Sequence, residues 1–385
     1  MKRTIGLLTL LGLYAISYGQ INITHSTPRI GDEIIKQQVE YKDPGRSGEN
    51  VIWNFSTLKE INPEYKIKYI PPFIVDDKLY VMGKDTFNIK DVSEGELVAG
   101  YEHQTRYYYQ CKDGEQYILG HENPTTLLHY NQPVRIMSEP MKYGQEINNT
   151  YSSYARYSNK IDIYTEGEVN VKADAYGIMI LPSGDTLRNV IRIKTQQTYI
   201  ESDTLRDPLN QEKLNMIVDN YKWYSKGYRY PIFETVRTRD LSDTTETAYY
   251  STAFFYPPQE HYYLEDDYEN LAVLDSLDNI NNRQPNKPKP DPNDPSHWLE
   301  NNFTYNYYPN PVITDLYVEY YLEASAEVGI SVYNIAGTLI KSIDKQKKEA
   351  GFYEETIDCI SLPYGSYLLQ IKVNNEIINQ KFIKR

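Results

Sequence analysis

The histidines, the cysteines and the acidic clusters are the residues of this 385-residue sequence that could catalyse a reaction or bind a metal. His121 and His129 flank the segment ENPTTLL, and a turn there would bring two imidazoles close enough to share a metal ion or a proton. Cys111 and Cys359 belong to no Cys-x-x-Cys or Cys/His pair. Neither a structural zinc site nor a disulfide framework is therefore predicted.

The acidic clusters have simpler interpretations than catalysis or metal binding. One is a run of neighbouring carboxylates, whereas a glycosidase pair comes from separate strands about 5 to 10 Å apart; the run comprises Glu265, Asp266, Asp267 and Glu269. Another hints at a calcium loop but is interrupted by prolines and lacks a glycine and a closing glutamate; it comprises Asp291, Asn293 and Asp294. The segment GRSGE also lacks the final glycine of a nucleophile elbow. The sequence therefore assigns no catalytic, cofactor-binding or metal-binding residue.

Composition excludes some classes of partner. The formal net charge of −13 argues against a nucleic-acid-binding surface, which needs basic side chains to neutralise phosphates, and against adsorption to anionic lipid. Tyrosine is abundant, with 39 residues against nine phenylalanines. These rings could form an aromatic surface for sugars or peptides, or they could simply build strands, in which tyrosine is favoured.

The first residues have the three parts of a secretory signal peptide. Lys2 and Arg3 form the charged start, an apolar run follows over residues 5–16, and Ser17-Tyr18-Gly19 is a small-x-small cleavage site. We therefore predict a signal peptide over residues 1–19 with cleavage between Gly19 and Gln20. The apolar run is too short for a permanent transmembrane helix, which takes about 20 residues, and no integral membrane segment is predicted.

Residues 20–260 read as a tyrosine-rich all-β domain, either a large β-sandwich or an irregular β domain. Short alternating runs are separated by turn residues: Asp113-Gly114, residues 174–177, Ser183-Gly184-Asp185 and Lys226-Gly227. Residues 261–304 differ. Apolar residues recur there at three- and four-residue spacing between Leu264 and Leu277, which predicts a short acidic helix, and a proline-rich polar linker follows it.

The tail, residues 305–385, is predicted to be a small immunoglobulin-like β-sandwich of six or seven strands. Two runs of alternating apolar residues define the buried faces of its strands; they are Leu316, Val318, Tyr320 and Leu322, and Tyr367, Leu369, Ile371 and Val373. Turns are predicted at Ala336-Gly337 and Asn374-Asn375.

Several segments of this tail, in order, resemble the type A C-terminal sorting domain of the type IX secretion system. They are the Tyr-Pro-Asn-Pro opening, Asp315-Leu316, VYNIAGTLI, LPYGSYLLQI and the basic terminus. The resemblance implies that the secretion machinery recognises the tail and carries the protein through the periplasm to the outer-membrane surface or the extracellular space. Carried over residue by residue, the motif comprises Pro309, Asn310, Pro311, Asp315, Leu316, Gly337, Gly365, Tyr367, Lys384 and Arg385.

The front domain resembles uncharacterised β-rich regions that precede such tails, a resemblance that implies no activity. We predict a non-enzymatic module that binds a glycan, a peptide or an envelope protein. A secreted hydrolase of glycans or peptides and a structural envelope component are the alternatives. Four segments also resemble a bacterial O-glycosylation pattern of Asp, Thr or Ser, and an apolar residue, although such segments are also common in turns; their acceptors would be Thr186, Thr204, Thr244 and Ser276.

Overall fold

A computed structural model describes residues 22–72, 97–203, 214–241, 248–262, 264, 266–283 and 298–385. The predicted signal peptide with its cleavage site lies outside these ranges, as do Thr204, Thr244 and the proline-rich stretch 284–297. The described residues are mostly β-strand with little helix, so the prediction of an all-β protein is confirmed.

The front unit contains the first fifteen strands of the described chain and two helices. In chain order the strands are β1 (Asn22–Ile23), β2 (Glu33–Val39), β3 (Gly48–Asn54), β4 (Glu60–Ile70), β5 (Leu97–Glu102), β6 (Thr105–Lys112), β7 (Glu115–Glu122), β8 (Thr126–Ser138), β9 (Met141–Lys142), β10 (Glu146–Tyr157), β11 (Ile161–Ile180), β12 (Thr186–Asp203), β13 (Leu214–Ser225), β14 (Phe233–Asp240) and β15 (Ala248–Phe255). The helices are α1 (Pro258–Tyr262) and α2 (Tyr268–Arg283). The helix predicted from apolar spacing is therefore present as α2.

Twelve of these strands form one sheet that closes on itself. Their order is β10-β8-β7-β6-β5-β4-β2-β15-β14-β13-β12-β11, and β11 pairs back with β10 to complete the ring. The first part of the long strand β11 pairs with β10, and its last part pairs in parallel with β3. Of the two arrangements predicted for residues 20–260, the front unit thus has the irregular one, a closed sheet rather than two stacked sheets.

The two faces of the ring bury different sets of side chains. The outer face of β11 to β15 carries an aromatic cluster that includes Trp53, Trp223 and Phe233, and α2 packs on it through Leu274. The inner face carries apolar side chains from β8, β10, β11, β12 and β13, which fill one part of the ring interior. Because residues alternate between faces along each strand, Lys222 and Tyr224 point inward where Trp223 points outward.

One predicted break is wrong. Residues 174–177 do not separate two strands; β11 runs through them with shifts of register around Asp174 and Ile178. The reason is the close approach of β3: a side chain at Gly177 would overlap the carbonyl oxygen of Val51, so this glycine lets two backbones meet. The predicted turn at Asp113-Gly114 is confirmed, with positive φ angles of 52° and 78° at the two residues.

The tail begins after helix α3 (Trp298–Asn302) and forms two facing sheets. One contains β16 (Phe303–Tyr308), β17 (Asp315–Leu322) and β20 (Gly351–Asp358); the other contains β18 (Ala326–Asn334), β19 (Leu339–Lys348), β21 (Gly365–Val373) and β22 (Glu376–Lys384). Leu316, Val318, Tyr320 and Leu322 are fully buried, as predicted. Their hydrophobic cluster is formed by residues 298–382. This arrangement fits an immunoglobulin-like sandwich.

Candidate functional site

The Pro-Asn-Pro opening of the tail lies beside the last residues of the chain. The backbone N–H of Val312 donates to the carbonyl oxygen of Ile383 at 2.7 Å, and that of Arg385 donates to the carbonyl of Val312 at 2.9 Å. The side-chain oxygen of Asn310 accepts the N–H of Ile383 at 2.9 Å. The beginning and the end of the tail are therefore joined by hydrogen bonds.

The remaining predicted sorting residues lie at the same end of the sandwich. Gly365 pairs with Lys384 at the start of β21, and Tyr367 pairs with Asn334 at the end of β18, where the turn containing Gly337 follows. Strand β17 starts there with Asp315, whose neighbour Leu316 is buried. The structure thus brings together residues that are spread over the whole tail in sequence.

Lys384 differs from the surface lysine that its terminal position would lead one to expect. Its side chain is only 4% exposed, and its ammonium lies 5.1 Å from the centre of the Tyr364 ring. The Tyr367 hydroxyl donates to the carbonyl oxygen of Pro363 at 2.8 Å. Tyr364 belongs to the segment LPYGSYLLQI that carries the family resemblance, whereas nothing in the sequence singles out Val312.

A polar interface joins the tail to the front unit. The Arg46 guanidinium lies 3.8 Å from the centre of the Tyr305 ring and donates to the Tyr305 carbonyl at 2.8 Å. The Lys42 ammonium lies 3.6 Å from the Glu319 carboxylate, which also accepts the Tyr308 hydroxyl at 2.5 Å. Glu319 is 1% exposed, so the interface places a carboxyl group in a dry environment.

This environment predicts a pH dependence of tail stability. Burial raises the pKa of Glu319 above its usual 4.5, and the Lys42 ammonium and the Tyr308 hydroxyl oppose part of the rise. The folded protein then keeps a proton that the unfolded chain has already lost, so we expect stability to fall as the pH rises above 4.5. Thermal unfolding followed from about pH 4 to 7 measures this slope.

Glu319→Gln is expected to flatten the slope, because the buried amide does not titrate. The exposed Glu376 provides the control, since Glu376→Gln removes a carboxyl of the same tail without changing a buried site. Equal slopes for the two variants would contradict the prediction.

The front unit holds a charged network on the inner face of its ring. The Lys36 ammonium lies 2.9 Å from the Glu102 carboxylate, 3.5 Å from the Tyr256 hydroxyl and 4.0 Å from the centre of the Phe254 ring. The Tyr256 hydroxyl donates to Glu234 at 3.0 Å, and the Lys222 ammonium lies 3.6 Å from the same carboxylate. Two lysines and two glutamates from four strands therefore converge.

The protonation of this network is set by its own charges. Burial would raise the pKa of Glu234, but the Lys222 and Lys36 ammonium groups outweigh that effect and hold it below its usual value. Burial would lower the pKa of Lys222, and Glu234 outweighs that effect and raises it. Both groups therefore stay charged at neutral pH. Sequence reasoning missed them, because each looks like an ordinary polar residue of an alternating strand.

The two histidines that flank residues 122–128 do not meet. His121 pairs with Leu128 across β7 and β8, whereas His129 pairs with Gly120, so alternation places the two imidazoles on opposite faces. Within the described ranges, no three His, Cys, Asp or Glu side chains are grouped so that they could hold a metal ion. In the same part of the chain, no helix has the length and apolar character needed to cross a bilayer.

Comparison with known proteins identifies the tail. Residues 306–385 match the family model of the secretion system C-terminal sorting domain. A search of the curated proteins finds no match to the chain. The matched residues include the whole end of the sandwich at which the opening and the terminus meet. The tail of this chain is therefore a type A C-terminal sorting domain of the type IX secretion system.

Proposed function

We propose that this protein is cargo of the type IX secretion system. Its front unit is a non-enzymatic binding module, and its tail directs that module to the cell surface or the extracellular space. The sorting domain supports export. The observation that carries the proposal is the convergence of the predicted sorting residues at one end of a tail with its own hydrophobic cluster. The secretion machinery could bind such a surface without contacting the front unit.

The charged network favours binding over hydrolysis. A glycosidase needs one carboxyl group that is still protonated at working pH, which requires a raised pKa. The pKa of Glu234 is lowered instead, and Glu102 is engaged by Lys36 at 2.9 Å. These groups hold polar atoms in fixed positions through ion pairs and hydrogen bonds, which suits recognition of a ligand.

The export proposal is tested by fusing residues 298–385, which include α3 and the whole of β16, to a reporter protein behind a signal peptide. We expect the reporter at the cell surface or in the medium of a strain with a working type IX exporter, and in the periplasm of the same strain without it. Retention in the periplasm of both strains would refute the proposal.

Variants of the full chain test the proposed recognition surface. Tyr364→Ala/Arg385→Ala removes two exposed side chains at the end of the sandwich at which the sorting residues converge, and we expect the exported fraction to fall severalfold. Lys345→Ala/Lys347→Ala removes two lysines near the opposite end, where β19 pairs with the start of β18. This matched control should be exported normally. Equal export of the two double variants would show that recognition uses another surface.

A further inference from the structure

The interior of the ring contains a space that water reaches. Lys222 lies in the middle of β13 on the inner face, between β12 and β14, yet 38% of its side chain is exposed. Tyr107 and Tyr109 on β6 are half-buried. A lysine that points into a closed sheet can be exposed to this extent only if the sheet encloses open volume beside it. A closed sheet of twelve strands is wide enough for this, since about eight already leave an interior that side chains can fill.

Tyrosines line this space across from Lys222 and Glu234. Strands β6 and β13 lie on opposite sides of the ring, with five strands between them in each direction. Burial raises the pKa of Tyr109, and the Lys222 ammonium opposes the rise. Burial also raises the pKa of Tyr107 to about 12, and the carboxylates of Glu102 and Glu234 add to it. Because side chains alternate between faces, Tyr107 and Tyr109 on β6 and Lys222 on β13 point into the interior from these opposite sides.

Further aromatic side chains lie next to Tyr107 and Tyr109. The rings of Tyr69 and Tyr109 flank Gly100, where a side chain would approach them to 3.2 and 3.3 Å, so the glycine leaves room for both rings. Tyr69 also stacks on Tyr230 with centroids 5.0 Å apart. Next to Tyr107 lies His121, at a ring distance of 5.7 Å. The space therefore has flat apolar walls with hydroxyl groups at their edges.

The charges of the network balance. Two lysines, Lys36 and Lys222, are matched by two glutamates, Glu102 and Glu234. Burial lowers the pKa of His121, which keeps its imidazole neutral at pH 7. A charged ligand could form an ion pair with one of these groups only by breaking the ion pair that the group already forms, so it would gain no net ion pair. A neutral ligand with many hydroxyl groups can accept from the ammonium groups and donate to the carboxylates while both pairs persist.

We propose that the interior of the ring binds a neutral oligosaccharide, with sugar faces packed on Tyr107 and Tyr109 and sugar hydroxyls hydrogen-bonded to Lys222 and Glu234. The C–H groups on the face of a sugar ring pack well on aromatic rings, and its hydroxyls both donate and accept. This combination of apolar walls with a few convergent polar groups is the usual composition of a small-molecule site. The inference rests on the proposed binding function and names its site and ligand class.

The test is isothermal titration calorimetry of the full chain with soluble cello-, laminari-, xylo- and chito-oligosaccharides. We expect at least one series to bind, and Tyr107→Ala/Tyr109→Ala to weaken that binding by at least about tenfold. Lys222→Met, which keeps the length of the side chain, should weaken it as well. Tyr164→Ala on the exposed outer part of β11 is the matched control and should bind as the unchanged protein does. Circular dichroism establishes that each variant is folded.

The outcomes test the proposed ligand class and the proposed binding function separately. If no oligosaccharide binds, or if binding is unchanged in the folded Tyr107→Ala/Tyr109→Ala variant, the proposed site is wrong. A peptide library or an envelope protein fraction that binds the full chain but not the interior variants would overturn the sugar class and leave the binding module. Failure of every probe to bind would refute the binding module too, while export by the tail is measured independently.

Discussion

Replacing Arg192 by alanine is expected to destabilise the front unit by about 3–5 kcal/mol, the usual cost of breaking a buried ion pair. The Arg192 side chain is 1% exposed, and it donates to both carboxylate oxygens of Asp174 at 2.8 Å. It also donates to the carbonyls of Pro44 and Arg46. Alanine would leave a buried carboxylate and these carbonyls without their donor. Denaturant unfolding measures the loss.

Arg188 offers a matched control on the same strand. Its side chain is 57% exposed and forms an ion pair with Glu323 of the tail at 2.7 Å. Exposed pairs contribute at most about 1 kcal/mol, so Arg188→Ala should change the free energy of unfolding little. Equal losses for the two variants would contradict the account of Arg192 as the anchor of the segment at residues 44–46. Because Arg46 contacts Tyr305, Arg192→Ala is also expected to loosen the tail interface.

Phe382→Ala is expected to unfold the tail while the front unit stays folded. The Phe382 ring is fully buried and stacks on Tyr367 with centroids 5.5 Å apart. Removing a buried phenylalanine side chain costs about 3–5 kcal/mol, a large part of the stability of a small domain. The cluster around Phe382 is formed by tail residues, so the loss should stay within the tail. Limited proteolysis followed by mass spectrometry measures which region becomes cleavable.

The next residue provides the control. Ile383 is 37% exposed and points away from the cluster, so Ile383→Ala should leave the tail resistant to protease. If Phe382→Ala instead makes both units cleavable together, the front unit and the tail unfold as one cooperative unit. The polar contacts of Lys42 and Arg46 would then couple the unfolding of the two units.

Local patterns predicted individual strands well, and the tail shows why. The alternation of Leu316, Val318, Tyr320 and Leu322 has the two-residue period of a strand with one buried face, and all four are buried. The resemblance to the sorting-domain family identified residues that are far apart in the tail sequence. Their convergence at one end could not be predicted, because it follows only from the pairing of β18, β21 and β22.

Closure of the front sheet could not be predicted from the same patterns. It depends on pairs that are distant in sequence, such as Phe255 with Gln37 between β15 and β2. Strand periodicity identifies the two faces of a strand but not its neighbours. For the same reason Lys36, Glu102, Lys222 and Glu234 seemed unrelated, because only the closed ring brings them together. The error at residues 174–177 has a local cause: glycine is a turn signal in sequence and a point of close backbone approach in this sheet.

The hydrogen bonds between Val312 and residues 383–385 join two segments that lie more than seventy positions apart in the sequence. The Asn310 side chain adds a third bond between the same segments by accepting the N–H of Ile383. In an unfolded tail these segments are separate, so the surface that they form together exists only after the sandwich has folded. Any partner that contacts both segments therefore distinguishes folded tails from unfolded ones.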